Sequence, residues 1–166
     1  MRTLLSLLLL ATASSMASAQ TIERVEIVDF GIYNAGEKMK STTAFDTAAE
    51  VLNGVSPMKF TLTEATTTVP GRLGVHFGFR YKIIGSAKGT TKLKMVTLIP
   101  EPGIRNPNTR RTTVRNEYVE TKPLGTTQYT GYSFDNPWEI VFGTWTKEIW
   151  NGDQKLASKT FTVVQP

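Results

Sequence analysis

Apolar residues recur at every second position through most of this chain. The clearest run covers residues 73–83, where Leu73, Val75, Phe77, Phe79, Tyr81 and Ile83 alternate with Gly74, His76, Gly78, Arg80 and Lys82. A period of two puts one set of side chains on a covered face and the other on the opposite face, which predicts a strand. Met58, Phe60 and Leu62 repeat the pattern before the break at 66–71. Residues 25–33 are strand-like, but the apolar phase slips between Ile27 and Val28. Such a slip needs either two covered faces or a bulge. Further strands are predicted over 91–99, 112–121, 126–133, 144–150 and 155–164. The last two flank Asn151-Gly152-Asp153, a tight-turn signal because Asn and Gly tolerate positive φ.

One segment departs from this period. Phe45, Ala48, Ala49 and Leu52 are spaced i, i+3, i+4, i+7, with Thr43 placed to cap, Asp46 at the capping-box position and Gly54 as a stop. The segment reads as either a short helix over 44–52 or a loop. Eight short strands separated by turn signals predict an all-β fold, a single β-sandwich domain over residues 20–166.

Residues 1–19 read as a signal peptide. Arg2 supplies the positive end, residues 4–13 (LLSLLLLATA) an apolar stretch too short to span a bilayer, and Ala17-Ser18-Ala19 a small-x-small cleavage pattern. The expected mature chain begins at Gln20 and is periplasmic or secreted. No later stretch is apolar enough to cross a membrane as a helix, so no transmembrane segment is expected after cleavage.

Composition removes most chemistries. Without cysteine there is no disulfide scaffold, zinc–thiolate site or cysteine nucleophile. The single histidine, His76, cannot form a two-imidazole site. It alternates with core-facing residues on a strand and lies in no nucleophile–base motif. Asp135 and Glu139 flank Pro137-Trp138 and could be read as a glycosidase pair, though such acids are commonly turn formers. Glu23, Glu26 and Asp29 would cluster on a helix but fall on different faces of a strand, so no metal site is expected. Glycines 31, 36, 85 and 89 form no phosphate-binding loop. No cofactor and no enzymatic activity are expected.

Three segments in order carry a family resemblance: 69–81 (VPGRLGVHFGFRY), 131–139 (GYSFDNPWE) and 143–149 (GTWTKEI), the last followed by Leu156 and Phe161-Thr162-Val163. Together they resemble a family of short exported bacterial proteins known as a domain of unknown function. The resemblance covers about residues 56–164. It implies an immunoglobulin-like β-sandwich in the periplasm and no particular activity.

Two features suggest what the domain contacts. From Arg72 to Arg115 there are ten basic residues and one acidic residue, Glu101, a net +9, whereas the rest of the mature chain is −5. An exported protein is not expected to meet nucleic acid. The expected partners are a periplasmic protein, an anionic lipid or an acidic glycan. Arg105, Arg110, Arg111 and Arg115 lie in or beside the proline-rich connection 100–115, which predicts a stiffened loop presenting guanidinium groups. The alternative is a carbohydrate-binding module stacking sugars on Trp138 and Trp150, the tryptophans nearest predicted turns.

Overall fold

A computed structural model describes residues 22–36, 60–86 and 88–166. Its strands are β1 (Ile22–Ala35), β2 (Phe60–Glu64), β3 (Thr68–Pro70), β4 (His76–Gly85), β5 (Thr90–Leu98), β6 (Ile104–Arg105), β7 (Thr112–Thr113), β8 (Arg115–Pro123), β9 (Thr127–Ser133), β10 (Gly143–Asn151) and β11 (Gln154–Val164). One sheet has the order β2-β1-β4-β9 and the other β3-β11-β10-β5-β8, while β6 and β7 form a separate hairpin. The two main sheets face each other as a sandwich, as the period-two pattern predicts. The segment 44–52 and Met58 lie outside the described residues.

Alternation decides what is buried. Phe77, Phe79, Tyr81 and Ile83 of β4 are fully buried and meet Trp145, Ile149, Phe161, Leu93 and Met95 from the opposite sheet. Trp145 stands edge-on to Phe77 at 5.7 Å between ring centroids and donates its indole N–H to the Val141 carbonyl at 2.7 Å. The phase slip in β1 is a bulge: its pairing with β4 shifts between Ile27 and Asp29, and Val28 turns outward. At Asn151–Gln154 the β10–β11 hairpin closes with Gly152 at φ 55°.

Four expectations need correction. Leu73 is not part of the strand. β4 begins at His76, and Leu73 stands 52% exposed on a turn with Gly74 at φ 78°. The strand predicted over 112–121 is broken at Val114, whose carbonyl accepts the Ile99 N–H at 2.8 Å, so that β7 and β8 belong to different sheets. The connection 100–115 is more than an extended loop, because it contains the β6–β7 hairpin. The break at 66–71 contains β3, which pairs in parallel with the end of β11 and buries Val69.

The core is not uniformly apolar. One cluster gathers around Phe77, Phe134, Trp145 and Phe161, and the other around Phe79, Tyr81, Met95 and Ile149. Between them a polar row crosses the five-stranded sheet. Lys159, Lys147, Thr97 and Asn116 are cross-strand neighbours in register on β11, β10, β5 and β8. The Lys147 side chain is fully buried and its ammonium donates to Thr97 Oγ1 at 2.6 Å. Burial drives its pKa down to about 8, against the pull of the Glu120 carboxylate. Lys159 ends over the Phe30 ring, 3.2 Å from its centroid.

Candidate functional site

The strand ends bring three connections to one end of the sandwich. β4 starts at His76, which is paired with Tyr33 near the end of β1 and with Ser133 at the end of β9. β5 ends at Leu98, which is paired with Arg115 at the start of β8 and with Thr146 early in β10. The turn 71–75, the hairpin connection 99–114 and the turn 134–142 therefore share that end. They also touch. The Gly74 N–H donates to the Phe134 carbonyl at 2.8 Å, Gly143 packs on Pro100, and β6 lies beside the short 3-10 turn Pro137–Glu139.

The hairpin is held by its own backbone. Asn106 is buried and its Oδ1 accepts the N–H groups of Asn108 (2.9 Å) and Thr109 (3.3 Å). Its N–H donates to the Arg111 carbonyl, and its carbonyl accepts the Arg110 N–H. Arg110 sits at φ 57°, a left-handed conformation that a tight turn imposes on a non-glycine residue. Ile104 anchors the hairpin in the core around Trp145. Arg105, Arg110 and Arg111 are exposed, and among the described residues none has a carboxylate within ion-pair distance. Arg115 differs, since it bonds Glu117 across one residue at 3.0 Å.

The ten basic residues of the segment 72–115 do not form one surface. Arg80 and Lys82 point outward from the four-stranded sheet, and Arg80 is consumed by Asp29 in a bidentate pair. That guanidinium holds the Asp29 carboxyl below its usual range, and the Tyr33 hydroxyl donates to the same carboxylate at 2.6 Å. Lys92 and Lys94 point outward from the opposite sheet. The segment is divided because β4 and β5, although consecutive, lie in different sheets.

The two tryptophans are also separated. Trp138 is half-buried beside the core at the hairpin end. Trp150 lies at the far end of β10, seven residues or about 23 Å along the strand from Gly143. Its indole N–H donates to Glu148 at 2.8 Å, and the Lys94 and Lys155 ammonium groups lie 5.4 and 5.3 Å from its ring centroid. One sugar chain stacked on both would have to run the length of the sheet.

The candidate acids are turn formers. Glu139 is buried, and its Oε2 accepts the N–H groups of Asp135 (2.7 Å) and Asn136 (2.8 Å), so the carboxylate closes the 3-10 turn. Asp135 accepts the Ser133 hydroxyl at 2.8 Å. Glu23 and Glu26 bond Arg24, apart from the Asp29 network, and no metal-ligand cluster occurs among the described residues. His76 lines a shallow, open cleft of about 510 Å³ with Tyr33, Asn34, Thr63, Arg72 and Leu73, its ring edge-on to Phe60. Reasoning from sequence missed that Arg72, Leu73 and Phe142 share the hairpin end of the sandwich, because more than 25 residues separate them from the connection 99–114 along the chain. It also missed the buried Lys147, whose signal was a charged residue in phase with Trp145 and Ile149.

No curated protein matches the chain. Among solved structures it is similar to an immunoglobulin-like protein from Pseudomonas aeruginosa, with 28% identity and a TM-score of 0.60 over 86% of this chain and 98% of that one. Residues 22–163 match the family described as a domain of unknown function, DUF3859. The match begins at β1, well before the region 56–164 that carries the resemblance in sequence. With its two-sheet architecture and that match across both sheets, the chain belongs to the DUF3859 family and has an immunoglobulin-like fold.

Proposed function

We propose that this chain is an exported, non-catalytic binding module that contacts an anionic partner through the hairpin end of its sandwich. The supporting observation is the state of Arg105, Arg110 and Arg111. All three are exposed and lack carboxylate partners among the described residues, on a hairpin fixed by Asn106 and anchored by Ile104. Arginine at such positions offers forked donors to phosphate, sulfate or carboxylate, and a rigid backbone lowers the entropy lost on binding.

A soluble polyanion tests this reading. The wild type is expected to bind heparin with an affinity that falls steeply between 50 and 300 mM salt, values chosen to span the screening range of about 14 to 6 Å. The triple Arg→Ala variant is expected to lose most of that binding and its salt slope. Its stability should change by less than about 1 kcal/mol, since exposed loop charges stabilise little. A triple variant that binds unchanged refutes the reading.

A further inference from the structure

We infer that the anionic partner at the hairpin end is a lipid surface, an inference that rests on the anion-contacting reading above. The argument comes from where the exposed apolar residues lie. Among the described residues, the large hydrophobic side chains that are exposed are Val28, Leu73, Val114, Val119 and Phe142. Leu73 (52% exposed), Phe142 (45%) and Val114 (40%) all belong to the three connections that meet at the arginine end.

They are placed there by packing. A methyl group on Gly71 would lie 2.6 Å from Phe142 Cε1, so Phe142 rests on the backbone beside Arg72 and Leu73. Val114 closes over Gly103 at the base of the hairpin, next to Arg115. The adjoining Gly143 rests on Pro100 and joins the two groups. These three apolar side chains lie close in sequence or across a turn to arginines: Leu73 follows Arg72, Phe142 lies over the Arg72 turn, and Val114 precedes Arg115, whose guanidinium is paired with Glu117.

A soluble acidic glycan needs only the arginines. Exposed leucine, valine and phenylalanine beside them add nothing to such a contact and carry a solubility cost. A protein partner that used the apolar tips as well would leave vesicle binding absent in the co-sedimentation test. An anionic bilayer uses both, because its phosphates lie just above its acyl chains. Arginine reaches the phosphates while the apolar tips enter the boundary below them. The acids at this end are engaged or few: Glu101 is the one acid within 99–114, Glu117 is held by Arg115, Glu139 is buried in the 3-10 turn, and the exposed Asp135 accepts the Ser133 hydroxyl.

Co-sedimentation with vesicles tests the inference, with heparin as the soluble control. Wild-type protein is expected to sediment with vesicles containing phosphatidylglycerol and to stay in solution with pure phosphatidylcholine. Leu73→Ser/Phe142→Ser, which keeps every charge, should lose about tenfold in vesicle affinity and keep its heparin affinity. Arg105→Ala/Arg110→Ala/Arg111→Ala should lose about a hundredfold on vesicles, since each arginine near such a surface contributes a factor of about five. Should Phe142→Ser impair folding, Leu73→Ser alone carries the test, because Leu73 lies on a turn outside both sheets. Heparin binding without vesicle binding, or vesicle binding indifferent to the serine changes, overturns the lipid inference and leaves the anion-contacting reading standing. Failure on both probes at low salt overturns both.

Discussion

Lys147 is the residue that conflicts most with its surroundings. Its neighbours in phase on β10, Trp145 and Ile149, are fully buried apolar residues, and it is as buried as they are. An ammonium with one hydroxyl partner in the core costs more than it returns. The double change Lys147→Met/Thr97→Val removes donor and acceptor together. It is expected to stabilise the protein by about 1–4 kcal/mol at pH 7, the range found when buried ionic groups are replaced by apolar ones. Linkage gives a second check. The folded pKa of about 8 lies below the ordinary value of 10.5, so the native state binds fewer protons than the unfolded state between these values. Lys147 therefore contributes a rise in stability with pH from 8 to 10.5. Urea midpoints across that window should rise in the wild type more steeply than in the double variant. Equal slopes would mean that the ammonium is not desolvated.

At the scale of elements, three glycines let neighbouring segments of the four-stranded sheet approach closely. Gly31, Gly78 and Gly131 are in register across β1, β4 and β9. A methyl group on Gly78 would lie 2.2 Å from the Thr130 carbonyl oxygen, because the two backbones approach that closely. At Gly131 it would meet the Tyr129 hydroxyl at 1.9 Å. Tyr129 lies over its own strand there, stacked on Phe60 at 3.9 Å and edge-on to Tyr33 at 4.9 Å. Gly78→Ala is expected to cost about 1–3 kcal/mol by overpacking, read as a lower urea midpoint. A neutral outcome would mean that β9 shifts to accommodate the methyl group. The period of two made β4, β5, β9, β10 and β11 legible, because each turns alternate residues toward the core over at least part of its length. β3 was not legible: three residues ending in proline carry no period, and their pairing partner lies more than 90 residues away. The hairpin β6–β7 was hidden for a similar reason, since prolines marked it as a connection while Asn106 and Ile104 shaped it.

At the scale of the molecule, chain order and spatial order part company. The basic segment is continuous in sequence, yet its lysines and arginines project from both outer faces and from both ends, since successive strands cross between sheets. What gathers at the hairpin end comes instead from three distant stretches around Arg72, Arg105–Arg115 and Phe142. Export belongs to this scale as well, and its motivation is the apolar run followed by Ala17-Ser18-Ala19. Protein recovered from the exported fraction of a bacterial host is expected to have a mass corresponding to a chain that begins at Gln20. A product retaining residues 1–19 would refute cleavage at that position.

Alternation along the chain was enough to determine the all-β class, most strand positions, the β1 bulge as one of two alternatives, and the core roles of Phe77, Trp145 and Phe161. These are local properties, because a strand's pleat assigns each residue to a face whatever its partners are. Tertiary structure alone decided which residues share an end of the sandwich, that Leu73 stands outside the core, that Trp138 and Trp150 lie far apart, and that Lys147 is buried. Each of these depends on strand order between two sheets, and strand order is set by contacts between residues too distant in sequence for any local period to record.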